Sequence, residues 1–379
     1  MGAMIAEPRT FPTPDAADAR SRALHALAAQ ALEAPTGAIA DARQREIATA
    51  VEGMIDGVDG ATLARLLASS PSAAIYRHLW RAIVAAAERP PAAPPAPVLF
   101  ALPVIVVAAS DDADEHAVDA VVERSGELAA ILLEHGAFGG HRQVALAGAL
   151  CAADAIDIAA LPALMRAAAT TDTFAPLDVA PAPLVASPGG ERVHLRFLVG
   201  SALAASSAAL VGDARVGAWG VPLTRALSQR LATRGASIVA LPRAPQSLPA
   251  AVATGRAVQR EAGATLFASN AVRRLRASVG EPVAVISAHR AASAPLGGEL
   301  RLSLSSPFEP RDAEGFRCPV DALDRVADVV AMLAEVARDC RITDVRTLSG
   351  VHADRDAATG LTLMFKPDSV PPGAEIVAH

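Results

Sequence analysis

Between residues 89 and 98 the chain reads RPPAAPPAPV, with prolines at 90, 91, 94, 95 and 97. Proline lacks the N–H that a helix needs and fixes φ, so this density excludes helix and favours an extended spacer. A domain boundary is expected there, with residues 90–97 as a proline-rich linker.

Before the spacer, residues 1–14 read as a flexible arm, and Pro14 and Asp15 as a helix start. Leu24, Leu27 and Leu32 share one face. Ile39, Ile47, Val51 and Ile55 then recur at multiples of four, and Leu63, Leu66 and Leu67 lead on to Ile75, Leu79, Trp80 and Ile83. This spacing predicts a bundle of about four helices over residues 15–89. His25 and His78 fall within it and read as helix residues, not ligands.

Beyond the spacer an α/β segment is expected over residues 98–174. It opens with the strand VLFALPVIVVAA (98–109), followed by a helical pattern through SDDADEHAVDAVVERSGELAAILLEHG and further helices near 141–153 and 160–169. Residues 175–192, with four prolines before Gly189 and Gly190, read as a loop or second boundary. The remaining 193–379 predicts an α/β domain. RVHLRFLVG alternates as a strand does, Pro222 opens a helix closed by Gly235, and ASIVAL (236–241) is a buried strand. PVAVISAH (282–289) with ELRLSLSS (299–306), and DVRTLSGVH (344–352) with LTLMFKP (361–367), predict two hairpins. The helix between them has an apolar stripe of Leu323, Val326, Val330, Leu333 and Ala337. The expected fold is mixed α/β: an N-terminal helical bundle, then a mixed sheet with helices, ending in a β-β-α-β-β unit.

Hydrophobic residues make up 52% of the chain but aromatic ones only 3%. Much of the apolar content is alanine, which favours close helix packing over a large aromatic pocket. The net charge of −6 argues against a nucleic-acid partner. The densest basic run, NAVRRLRAS, reads as the wet side of a helix carrying Arg273, Arg274 and Arg276. Lys366 is the only lysine, and no glycine turn precedes it, which excludes a phosphate-binding loop of the Walker type. Cys151, Cys318 and Cys340 are too scattered for a zinc ribbon or disulfide framework and fit a reducing cytoplasm. No secretory signal is visible. The apolar runs 98–109 and 197–212 fall short of the roughly 20 residues a spanning helix requires, so no membrane segment is expected.

Four places carry candidate chemistry. In HGAFGGHR (135–142), Gly139, Gly140 and Arg142 would bind an anion if a helix began just after the glycines; the plainer reading is a turn between two helices. SDDADEH (110–116) gathers Asp111, Asp112, Asp114, Glu115 and His116 after a strand, where a magnesium site or a helix cap would fit. GVHADRD (350–356) offers His352, Asp354 and Asp356 at alternating positions, suited to a divalent metal or to a base oriented by a carboxylate, and His289 would approach if the hairpins lie side by side. Cys318 is expected near a helix N-terminus, where a thiol becomes nucleophilic, and Arg243 just beyond a strand is placed to bind an anion. Neither G-x-S-x-G nor H-E-x-x-H occurs. The reading favoured by these signals is a non-enzymatic cytoplasmic protein without cofactor, working through a protein partner or self-association. A metal-dependent hydrolase or phosphoryl-transfer enzyme using the His/Asp loop is the alternative, and a small-anion binder the third.

Overall fold

The computed structural model describes residues 14–90, 96–110, 115–139, 143–170, 176–188, 190, 192–204, 211–278, 281–290, 296–306, 309–355, 364–365 and 376–378. The protein is mixed α/β, with a helical region preceding two mixed sheets.

The first four helices are α1 (Pro14–Leu32), α2 (Gly37–Asp56), α3 (Gly60–Ala68) and α4 (Ala73–Ala87). Two of them start on side-chain caps: Asp59 accepts from the Thr62 N–H at 3.2 Å, and Ser72 from that of Ile75 at 3.3 Å. Most of the expected leucines and isoleucines point inward, and Ile47, Val51, Leu63, Leu66 and Leu79 have no exposed surface, but Leu32 at the end of α1 and Ile39 at the start of α2 are exposed.

The first sheet contains β1 (Ala96–Ser110), β2 (His116–Val118), β3 (Val144–Cys151), β4 (Leu184–Pro188), β5 (Val193–Ala204) and β6 (Ala236–Ile238). Its order is β2-β4-β1-β5-β3, with β6 also on β1. β1 runs antiparallel to β5 from Ala96 to Val107 and parallel to β4 at Ala109 and Ser110. Val98, Phe100, Leu102, Val104 and Val106 enter one core with α5 (Ser125–Glu134) and α7 (Val216–Ala232). Leu99, Ala101 and Ile105 enter another, shared with the bundle, α6 (Leu161–Thr170) and α8 (Leu248–Ser278). Burial on both faces explains why β1 is an unbroken apolar run.

Several expectations change here. Residues 144–151 form β3, not a helix; the alanines that suggested helix are small enough to sit between α5 and β5 in a sheet. The acidic pattern yields β2 and then α5, with Val118 and Ala120 in the core. Pro222 lies inside α7 and does not open it; the helix starts six residues earlier, at Val216, with Trp219 buried in its first turn. Strand β1 starts at Ala96, within the expected linker, and β4 lies within the expected 175–192 loop. The bundle shares a core with the sheet and is not merely tethered to it. At that junction Gly60 meets the backbone of Ala159 so closely that a Cβ would sit 1.9 Å from its carbonyl oxygen.

The second sheet has the order β11-β10-β7-β8-β9. It comprises β7 (Val283–His289), β8 (Gly298–Ser306), β9 (Glu309–Val320), β10 (Asp344–His352) and β11 (Ile376–Ala378), with α9 (Val326–Asp339) before β10. The first hairpin forms as expected, with Val283 opposite Ser305. Strand β9 was not foreseen. Strand β10 pairs parallel to β7 and, over Arg346–Leu348, antiparallel to β11; of its expected hairpin partner 361–367, Met364 and Phe365 are described and lie outside any strand, and the others lie outside the described residues. The expected β6 ends at Ile238, leaving Val239 and Leu241 51% and 45% exposed.

Helix α8 joins the two sheets. It has 31 residues, a length of about 46 Å at 1.5 Å per residue. Its Leu248, Ala251, Val252 and Val258 pack under the first sheet, and its Ala264, Ala268, Ala271, Val272 and Leu275 under the second with α9. Among the described residues no helix is long and apolar enough to cross a membrane.

Candidate functional site

Strand alternation divides the second sheet into two faces. Leu300, Leu302 and Leu304 of β8 turn toward α8 and α9, which puts Glu299, Arg301, Ser303 and Ser305 on the opposite face. That face is nonetheless buried: Arg301 is 0% exposed, Ser287 1% and His289 2%. Buried polar groups must find partners, and here they find one another. The Arg301 Nε donates to Glu299 Oε1 at 2.6 Å, its Nη1 donates to the Asp354 carbonyl at 2.8 Å, and its Nη2 donates to the Asp354 carboxylate. Arg317 Nε donates to the other Glu299 oxygen at 2.8 Å.

His289 lies beside this network. Its Nδ1 is 2.7 Å from the Ala353 carbonyl, which only accepts, so Nδ1 carries the proton and Nε2 accepts from Ser287 Oγ at 2.8 Å. Its ring centroid is 5.8 Å from that of His352, and both rings lie against Phe365. The structure thus brings together three residues singled out in the sequence, His289, His352 and Asp354. Asp356 lies outside the described residues.

A serine donating to a held histidine has the layout of an activated nucleophile. Burial withdraws it from substrate. Desolvation also pushes the His289 imidazole below its ordinary range, with Arg301 and His352 adding to the effect. The Arg301 hydrogen bond holds the Asp354 carboxyl low, so that carboxylate is ionised and already occupied by a guanidinium. Among the described residues no three of His, Cys, Asp and Glu are grouped to hold a metal ion. Cys318 sits on β9 opposite Leu300, on the helix-covered face and away from the histidines; it is not at a helix start. Burial raises its thiol to about 11, and that of Cys151 to about 12.

The glycine turn changes character too. Helix α5 ends at His135 and Gly136, the latter at φ 70°, and the next element is β3, so no helix N-terminus supplies N–H groups to an anion. Gly139 is described there; Gly140, His141 and Arg142 lie outside the described residues. So do Asp111, Asp112 and Asp114, while Glu115 pairs with Arg192 at 3.0 Å.

An open concave surface lies over α8, between the sheets. One hollow of about 430 Å³ is walled by Arg192, Arg260, Arg274 and Arg317, with Phe267 and Phe316 stacked at 5.7 Å. Among the described residues no histidine, cysteine or carboxylate lines it. A second hollow, about 480 Å³, is walled by Val107, Val239, Leu241, Val258 and Ala262, with Arg243 and Glu261 paired at 3.8 Å on its rim. The hollows meet at Val193 and Leu266, which line both. Gly263 allows the closure of α8 onto β9, since a Cβ there would meet the Phe316 ring at 3.2 Å. Gln259 ties α8 to the start of β5 by donating to the Val193 carbonyl at 3.3 Å.

Comparison with protein-family models, curated proteins and solved structures gave no match. Geometry alone therefore carries the functional reading. Of this cleft, only Arg243 is expected from sequence as a ligand-binding residue; Arg274 reads as a solvated helix residue, and Val107, Val193, Val239 and Leu241 as parts of strands. The phenylalanines were the available signal in a chain so poor in aromatics, but Phe267 and Phe316 are 49 positions apart and meet only because α8 packs on β9.

Proposed function

We propose that this protein acts by binding and performs no covalent chemistry of its own, and that its binding surface is the cleft over α8. One observation carries the reading: the Ser287–His289 pair that resembles catalytic machinery is 1% and 2% exposed, whereas the open concave surface offers guanidinium groups and apolar walls. Concave sites with apolar walls and a few convergent polar groups are the usual form of a ligand site. The unpaired thiols of Cys151, Cys318 and Cys340 fit a reducing compartment, and we place the protein's action in the cytoplasm.

A fluorophosphonate probe tests the non-catalytic half of this reading. Ser287 is expected to remain unlabelled in the native protein, and covalent labelling there would reinstate the hydrolase. The binding half is tested with anilinonaphthalene sulfonate, an aromatic anion whose fluorescence rises in apolar surroundings. Saturable binding at one site, weakened by Leu241→Asp, is expected; absence of saturable binding would remove the cleft as a site.

A second reading rests on the exposure of Val239 and Leu241, apolar side chains next to one another at the end of β6. Exposed apolar patches mark contact surfaces, and self-association through this edge is the protein–protein form of the same proposal. Sedimentation would show a dimer that Leu241→Asp dissociates; a monomer at high concentration would dismiss it.

A further inference from the structure

The two hollows over α8 differ in chemistry, and the difference names a class of ligand. We infer that the cleft takes a small amphiphile, with a phosphate or carboxylate head among the arginines and an apolar tail along Val239 and Leu241. The inference rests on the binding reading above and specifies what is bound.

The head-group end is lined by four arginines, and among the described residues no carboxylate lines it. Each guanidinium has an acidic partner that does not line the hollow: Glu115 for Arg192, Asp324 for Arg260, Glu314 for Arg274 and Glu299 for Arg317. These partners fix the guanidiniums in place and cancel much of their long-range field. The Arg317 guanidinium turns to Glu299, on the sheet face away from α8, so of the four it is the half-exposed Arg192 and Arg274, lining the hollow, that meet an incoming oxygen. Recognition therefore works through directed donors at short range, for which guanidinium matches the oxygens of phosphate and carboxylate. The stacked Phe267 and Phe316 sit in the same hollow and offer an apolar surface to the first carbons beyond the head.

The tail end is defined by exposure. Val239 and Leu241 are large apolar side chains left half in water, in a hollow whose other walls include Val107, Val193, Val258 and Leu266. Because Val193 and Leu266 line both hollows, one molecule spans from arginines to aliphatic walls. A free phosphate would leave the apolar half wet, and an alcohol of equal chain length would leave the arginines without an acceptor.

Calorimetric titration with alkyl phosphates, kept below their micelle concentrations, tests this. Decyl phosphate is expected to bind with a stoichiometry of one. Affinity should rise up to about fourfold per methylene from hexyl to decyl, the equivalent of burying each CH₂. Inorganic phosphate and decanol should each bind at least about tenfold more weakly than decyl phosphate, since each lacks one of the two interactions. Arg192→Ala combined with Arg274→Ala removes two guanidiniums that are 50% and 54% exposed, so the fold should tolerate the loss. That variant and Leu241→Asp should each weaken decyl phosphate at least about tenfold, with circular dichroism and melting temperature close to the parent. Equal affinity for decanol, or undiminished affinity in both variants, would overturn the inference. Absence of decyl phosphate binding while the naphthalene sulfonate still binds saturably would overturn the ligand class and leave the binding reading standing.

Discussion

Arg301 has no exposed side-chain surface, and a guanidinium so placed is tolerated only while its donors are occupied. Burial by itself would raise the Glu299 carboxyl, but hydrogen bonds from Arg317 and Arg301 outweigh it and hold that group below its ordinary range. Removing Arg301 opens a cavity and leaves Glu299 with a single guanidinium. Arg301→Ala should therefore lower the unfolding free energy by about 3–5 kcal/mol, measured by urea denaturation, with Arg301→Met costing less because it refills the space. An alanine variant within about 1 kcal/mol of the parent would show that the network contributes little. Histidines set the mild-acid behaviour. Desolvation lowers His78, His194 and His289 in the folded chain, so between their folded values and about 6.5 the unfolded chain binds protons that the native one refuses. Stability is present above that range and is lost as the pH falls through it. Melting temperature should decline from pH 7 toward pH 5, and His78→Leu, which removes an imidazole whose Nε2 is buried without a partner, should make that decline shallower. An unchanged slope would rule out this linkage. At this scale the sequence disclosed half of the polar cluster: the spacing of His352 and Asp354 in a loop near His289 was visible, whereas Ser287, Glu299 and Arg301 lie within the two strands of the first hairpin and are not singled out. Nothing in ELRLSLSS shows that its polar face is covered.

Helix α8 shows why an element can escape a pattern search. Its buried stripe uses Ala251, Gly255, Ala264, Ala268 and Ala271 where most amphipathic helices have leucine. Small residues let it approach the sheets closely: a Cβ on Gly255 would meet Leu195 at 2.9 Å and the Phe197 ring at 3.0 Å. Strand β3 was hidden by the converse ambiguity, since alanine fits a helix by propensity and a tight sheet by volume. Leucine spacing, by contrast, made the four-helix region legible, because large side chains leave a periodic trace; of the stripe expected for α9, Val330, Leu333 and Ala337 face the core, whereas Leu323 precedes the helix and Val326 is exposed, Val329, Ala334 and Val336 completing the buried face. The closeness of β3 and β5 can be tested at Gly200, where an added Cβ would lie 2.5 Å from the Ala145 carbonyl oxygen and 2.6 Å from Phe100 Cζ. Gly200→Ala should destabilise by about 1–3 kcal/mol through overpacking, visible as a lower urea midpoint. A neutral substitution would mean that the strands separate easily.

At the level of the molecule, the bundle and the first sheet share one interior. Leu99, Ala101, Ile105, Phe197 and Val199 bury one face of that sheet with Leu66, Leu79 and Ile83 from the bundle. A proline-rich run in sequence suggests independence, but the run constrains only local backbone and says nothing of what the flanking surfaces touch. A chain starting at residue 96 would bare that face, and contiguous apolar surface of this kind drives aggregation. Such a truncation should be insoluble or oligomeric by size-exclusion chromatography, and a monodisperse, cooperatively melting product would contradict the shared core. Continuous through both sheets, α8 has a mechanical consequence as well. A rod gripped at both ends resists shear, so the walls carried on either side cannot slide past one another without breaking main-chain hydrogen bonds. The gap between them is held open before anything enters, and an incoming molecule meets a rigid berth whose shape costs little to maintain.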